Sequence, residues 1–151
     1  MIVSDATALI VLFDLERVDL LENLFDKIYL PEEVYRELTF QGAPELSDHF
    51  EIVAPKESEL LATLKHLLDP GESEAIALAK ERNLPLIIDE KKGRKIARRL
   101  DLKIIGLLGV IYLNVKRGHL DRKGVEEFIE SAMDHGYRIS SALVKEMLQS
   151  L

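Results

Sequence analysis

The sequence predicts an α/β fold in three layers, with a central parallel sheet between helices. Three observations carry that prediction. Short apolar runs of strand length alternate with longer segments whose apolar residues recur every three or four positions. Two of the runs, Ile2–Ser4 and Leu84–Ile88, lead straight into an aspartate, Asp5 and Asp89. No internal repeat or low-complexity tract interrupts the alternation, so residues 1–151 are expected to form one domain.

Taken in order, Ile2–Ser4 is expected to be a short buried strand, followed by a helix over Ala6–Leu12 and a bend at Phe13–Glu16. Val18, Leu20, Leu21, Leu24 and Phe25 recur at helical spacing. Ile28–Leu30 reads as the second strand. Pro31 suits the first turn of the helix carrying Val34 to Leu38, and Glu32 and Glu33 favour the positive end of its dipole. Gln41–Asp48, with Gly42 and Pro44, is a loop, and Phe50–Val53 a third strand closed by Pro55. Glu57–Leu68 is an amphipathic helix with its leucines on the inner side. Asp69-Pro70-Gly71-Glu72 opens an alanine-rich helix that runs to Arg82. After the strand Leu84–Ile88 come a basic helix over Lys92–Leu100, a strand over Leu102–Ile105 and a helix over Gly106–Lys116. Two closing helices, Val125–Met133 and Ser141–Leu148, are joined through Gly136-Tyr137-Arg138-Ile139.

Composition narrows the function. The chain has no cysteine, which excludes disulfides, thiolate metal sites and cysteine nucleophiles and fits a reducing, cytoplasmic setting. No apolar run approaches the ~18 residues of a membrane span, and no export leader is visible. A net charge of −7 argues against coating nucleic acid by bulk attraction, but not against cutting it at a metal site. No G-x-S-x-G, Walker or G-x-G-x-x-G pattern occurs, so serine nucleophiles and nucleotide-cofactor folds recede. The four histidines lack ligand spacing.

The acids are more informative. If the strands ending in Asp5 and Asp89 lie parallel in one sheet, both carboxylates emerge on one edge, where they repel each other unless a hard divalent cation intervenes. The alternative is that each aspartate caps the helix after it. Glu37 borders the apolar face of its helix, where an acid is either solvated or turned toward such a site. Glu72 shares a face with Ala75, Ile76 and Ala79, small residues that let the helix approach the sheet. It also occupies the N3 position of a capping box begun by Asp69. Glu72 is preferred as a metal ligand beside Asp5 and Asp89, with Glu74 and Glu90 as second choices. Lys92, Arg94 and Arg98 belong to the one dense basic run and stand next to these acids, as phosphate binding needs; a solvated helix face is the other reading. The Thr7 hydroxyl is placed to orient Asp5 or to open a helix.

The segments VSDATALI, LPEEVYREL, DPGESEAIALAKE, LIIDEKKGRKIARRLDLKIIGLLGVI and GYRIS, in that order, resemble the PIN-domain superfamily, and within it the DUF3368-type branch related to VapC toxins. The resemblance implies a PIN-like α/β/α fold and a ribonuclease site that uses Mg²⁺ or Mn²⁺. Carried across, its acids fall on Asp5, Glu37, Glu72 (or Glu74) and Asp89. Two positions depart from the commonest pattern: Glu72 stands where Asp is usual, and Ile87-Ile88-Asp89-Glu90 replaces a Thr/Ser-x-Asp strand ending. The resemblance also implies an RNA substrate, a homodimer, and an antitoxin protein as partner. A PIN module that binds without cutting is the rival expectation. An aspartate-nucleophile phosphatase is a third, weakened because Thr7 stands where that chemistry wants a second acid.

Overall fold

A computed structural model describes residues 1–42 and 44–151. Five short strands, β1 (Ile2–Ser4), β2 (Ile28–Pro31), β3 (Phe50–Val53), β4 (Leu86–Ile87) and β5 (Ile104–Ile105), pair in the order β3-β2-β1-β4-β5. Every pairing is parallel. Helices cover both faces and complete a PIN-like three-layer α/β/α fold. They are α1 (Ala6–Asp14), α2 (Asp19–Glu22), α3 (Glu32–Phe40), α4 (Glu59–Leu67), α5 (Pro70–Arg82), α6 (Lys91–Arg99), α7 (Leu107–Lys116), α8 (Arg122–Asp134) and α9 (Ser141–Gln149).

Strand order explains where a site can form. From the central β1 the chain steps outward to β2 and β3, then crosses back to β4 and β5 on the other side. The direction reverses between β1 and β4, and crevices at the carboxyl ends of strands open at such a reversal. All three residues of β1 are buried, as expected of an inner strand in a parallel sheet covered on both faces.

The alanine-rich α5 is the second organising element. From Gly71 to Ala79 every residue but Glu74 is buried, with β1, β2 and β4 beneath it and α3, α4 and α6 around it. Small side chains permit that enclosure, and Ile76 and Leu78, fully buried, each contribute about 1.5–3 kcal/mol relative to exposure. Asp69 caps α5 by accepting the Glu72 amide at 2.7 Å, with Pro70 in the first turn. Asn83 ends the helix in the left-handed region (φ 54°), and the Leu84 amide turns back to the Ala79 carbonyl.

Several elements are shorter than their apolar patterns suggest. The helical spacing over Val18–Phe25 yields only the single turn α2, because the chain must enter β2 at Ile28. The expected strand Leu84–Ile88 contracts to Leu86–Ile87, since Leu84 closes α5, although the Pro85 carbonyl already accepts the Val3 amide. Leu102–Ile105 likewise contracts to Ile104–Ile105. In the expected loop Gln41–Asp48, Ala43 lies outside the described residues, and the others carry no helix or strand. No helix of the described residues is long and apolar enough to cross a membrane.

Candidate functional site

The register of β1 and β4 brings the two strand-end aspartates to one edge. Ser4 is level with Ile87, and the Asp5 amide donates to the Ile87 carbonyl at 2.9 Å. Asp5 therefore emerges level with Ile88, one residue short of Asp89. Its side chain is 3% exposed and forms no capping hydrogen bond to α1.

Glu72 comes to the same place from α5. It is 7% exposed, and its Oε2 has no hydrogen-bond partner. The expected capping box is half formed: Asp69 caps the Glu72 amide, but the Glu72 carboxylate does not return to the Asp69 backbone. Gly93, in the first turn of α6, makes room for that oxygen. A Cβ there would fall 2.7 Å from Glu72 Oε2 and 2.7 Å from Ile88 Cδ1. Gly71 does the same for Glu37 on α3, whose Oε2 would lie 3.1 Å from a Cβ at that position, with Asp69 Oδ1 at 3.6 Å. Glu37 itself stands exposed on the rim. Two glycines thus form a cradle that holds Glu37, Asp69 and Glu72 close together.

Asp89 is partnered. It accepts the Leu107 amide on both carboxylate oxygens, at 3.1 and 3.2 Å, and so caps α7. The capping alternative raised from the sequence fails for both aspartates: Asp5 makes no cap to α1, and Asp89 caps α7 rather than α6, the helix that follows it. The Arg94 guanidinium donates to the Ile88 carbonyl at 3.1 Å and acts electrostatically on Asp89. Gly106 closes this corner: a Cβ there would sit 2.5 Å from Asp89 Oδ1 and 2.7 Å from Arg94 Nη1. Arg94, expected on substrate phosphate, is turned onto the strand end by the Ile88 carbonyl, although it also lines the neighbouring cleft.

The other candidates divide. Glu74 is engaged elsewhere, accepting the Glu33 amide at 3.0 Å at the start of α3. Glu90 is exposed, and its charge bears on Asp5, Glu37, Glu72 and Asp89. Thr7 makes no hydrogen bond to Asp5; half-buried, it lines an adjoining cleft of about 920 Å³ with Asp89, Lys91 and Arg98. Lys92 is exposed and lies outside that cleft's lining. Sequence reasoning gave Asp69 only a capping role, counted Lys91 in the basic run without choosing it, and gave Arg138 no role. The acid ahead of Pro70 and the first cation after Asp89-Glu90 were the available signals.

Burial sets the electrostatics. Asp5 is pushed up to about 7, chiefly by loss of water; the nearby Ala6 amide opposes this, and Asp69, Glu37 and Glu90 add to it. Glu72 is raised by burial first, then by the Asp69 carboxylate beside it and by the charges of Asp5 and Glu90. Glu37, exposed as a residue, is raised by partial loss of water around its carboxyl and then by Asp69 and Glu90. Burial raises Asp89 too, against the lowering pull of the Leu107 amide and Arg94.

A hard divalent ion suits this donor set, since every available donor is a carboxylate oxygen and one buried oxygen lacks any partner. As the side chains stand, no three His, Asp or Glu groups among the described residues are closed around a single point. Asp89 faces the Leu107 amide, and Asp69 faces the Glu72 amide. The donors fit a hard divalent ion in kind, with Asp89 held by the Leu107 amide as the structure stands.

Parallel strands between helix layers, with acids gathered at the β1/β4 reversal, define a nuclease-type α/β fold. The DUF3368 family model, a PIN domain, matches residues 1–151. The chain belongs to that family of PIN domains, which generally bind RNA and use divalent metals. A search among curated proteins returned no match.

Proposed function

We propose that this PIN domain is a metal-dependent endoribonuclease that cuts RNA phosphodiesters at the pocket formed by Asp5, Glu37, Glu72 and Asp89. The observation that carries the reading is the buried, unpartnered Oε2 of Glu72 beside the buried Asp5. Leaving such an oxygen without a partner costs about 1–3 kcal/mol or more, which a bound cation would offset. Asp5, Glu72 and Asp89 would hold Mg²⁺ or Mn²⁺, with Glu90 near enough in charge to contribute. The ion supplies Lewis-acid stabilisation of charge on phosphate oxygens. Glu37, on the solvent rim with its proton affinity raised, orients the attacking water and accepts its proton. Lys91 and Arg98 steady the substrate backbone, while Arg94 holds the strand end that carries Asp89.

The test is cleavage of a single-stranded RNA with Mg²⁺ or Mn²⁺ by wild type and by Asp5→Asn. Removing a contribution of several kcal/mol predicts a loss on the order of 10³-fold. Equal cleavage by both proteins removes Asp5 from the reaction.

The resemblance to VapC toxins supports a finer reading: a cytoplasmic toxin, active as a homodimer and restrained by an antitoxin protein. One observation favours a second reading, a PIN module that binds without cutting. Asp89 is already satisfied by the Leu107 amide, so the acids are not closed on a point. Calorimetry with Mn²⁺ separates the two, because the non-cutting module binds no ion at this pocket.

A further inference from the structure

The cleft beside Asp89 is not accounted for by the acid pocket. Its volume of about 920 Å³ lies at the upper end of the ~300–1,000 Å³ typical of small-molecule sites, so it has room for a nucleotide. Three cations line it, Lys91 and Arg98 from α6 and Arg138 from the segment before α9, together with Arg94, whose guanidinium is engaged by the Ile88 carbonyl, and the acids Asp89 and Glu146. The ion pairs among the described residues use none of these three cations. Leu108 and Tyr112 of α7 and Met147 of α9 give an apolar lining, and Tyr112 and Tyr137 are its two aromatic rings, the latter with its hydroxyl already engaged by Asp14. The segment carrying Arg138 is tied to α1, where the neighbouring Tyr137 hydroxyl donates to Asp14 Oδ2 at 2.7 Å.

We propose that this cleft holds the unstacked base of the nucleotide next to the phosphate presented at Asp89, while Arg98 and Arg138 hold its backbone. The proposal rests on the ribonuclease reading and deepens it by naming a subsite. Charge complementarity selects the occupant: in a chain of net charge −7, this cleft is lined by four cations against two acids, Asp89 and Glu146, around apolar side chains. An unstacked base offers a flat apolar face for such a lining and a phosphate on each side for the cations. Bases within an A-form duplex are stacked away from side chains, so paired RNA is excluded. The cleft then contributes to both affinity and choice of base, separately from the acids that act on the phosphate.

The experiment measures binding of labelled single-stranded RNA by the full-length Asp5→Asn protein. The matched probes are an oligonucleotide series in which one base at a time is removed, and a duplex of the same sequence. Removal at one position is expected to weaken binding about tenfold, and the duplex to bind at least tenfold more weakly than the single strand. Tyr112→Ala should erase the penalty at that position. Arg138→Ala should keep the penalty, weaken all probes alike and reduce the salt slope by about one. Leu143→Glu serves as a fold-safe check, because Leu143 lines the cleft yet is 55% exposed. It should weaken single-strand binding without moving the melting temperature. Equal binding of intact and base-free probes overturns the proposal, whether the cleft then holds a protein partner or nothing. Wild-type cleavage separates the two levels: RNA cut without base dependence sinks the subsite and leaves the nuclease, whereas base-dependent binding without cleavage does the reverse.

Discussion

The two halves of the acid pocket solve the same electrostatic problem in opposite ways. At Asp89 the fold supplies compensation: an amide on both oxygens, a guanidinium alongside, and a glycine at position 106 that lets all three meet. At Asp5 and Glu72 it supplies almost none. Both are buried, Glu72 Oε2 has no partner, and the nearest charges are further carboxylates. Asp89 would be at home in a protein that binds nothing. The Asp5–Glu72 half carries an unmet cost, and costs of that kind collect where function requires them.

The sharpest way to break the contrast is through pH. Asp5, raised to about 7 from an ordinary 3.8, keeps its proton in the folded protein between roughly pH 4 and 7, where the unfolded chain has released it. The folded state then binds more protons, so stability without metal falls as pH rises through that window. At about 1.4 kcal/mol per unit the total is on the order of 4 kcal/mol, and Glu72 acts in the same direction. Melting temperatures in chelator should drop from pH 5 to pH 8. Asp5→Asn should show a shallower drop and greater stability at pH 8. Mn²⁺ should restore the wild type at pH 8 and leave Asp5→Asn little changed. A metal-free protein that gains stability up to pH 8 contradicts the uncompensated half.

A smaller effect sharpens the comparison from the compensated side. Arg94 acts through Asp89 and the Ile88 carbonyl, so Arg94→Ala should lower cleavage about 10–100-fold, as loss of a supporting partner does at metal sites. That loss should fall on kcat, with the salt dependence of RNA binding unchanged. Arg98→Ala should show the opposite split, a raised KM and a salt slope lower by about one. If the two variants behave alike, Arg94 reaches the substrate after all and the turn onto the strand end seen here is not its working position.

The fold was legible because its signals are local and repeated: apolar runs, helical spacing, and the Asp69-Pro70 start of α5. That Asp5 and Asp89 leave the sheet at one edge was legible for the same reason, since two strands of one grammar pair in parallel there. What the sequence hid depends on side chains pointing across elements. Arg94 looks like every other cation of α6 until the Ile88 carbonyl is seen to take it. Asp89 looks like the cap of the helix after it, but the amide it accepts belongs to Leu107, 18 residues on. Asp69 announced itself as a cap and concealed its closeness to Glu37, which depends on how α3 lies against α5.

The smallest predicted effect tests the choice between neighbouring acids on α5. Glu72 and Glu74 are two residues apart on a helix, so they point about 200° apart and only one can face the pocket. Glu74 accepts the Glu33 amide at the start of α3, where a carboxylate meets unpaired N–H groups and the positive end of the dipole. Glu74→Ala should therefore cost about 1 kcal/mol of stability, as loss of a cap does, and leave cleavage per folded molecule unchanged. Glu72→Gln should act the other way, keeping or raising metal-free stability while removing Mn²⁺ binding. The pair is decided by denaturant unfolding and Mn²⁺ calorimetry on both variants. If Glu74→Ala loses Mn²⁺ binding, then the orphaned oxygen of Glu72 is not the place where the ion is held.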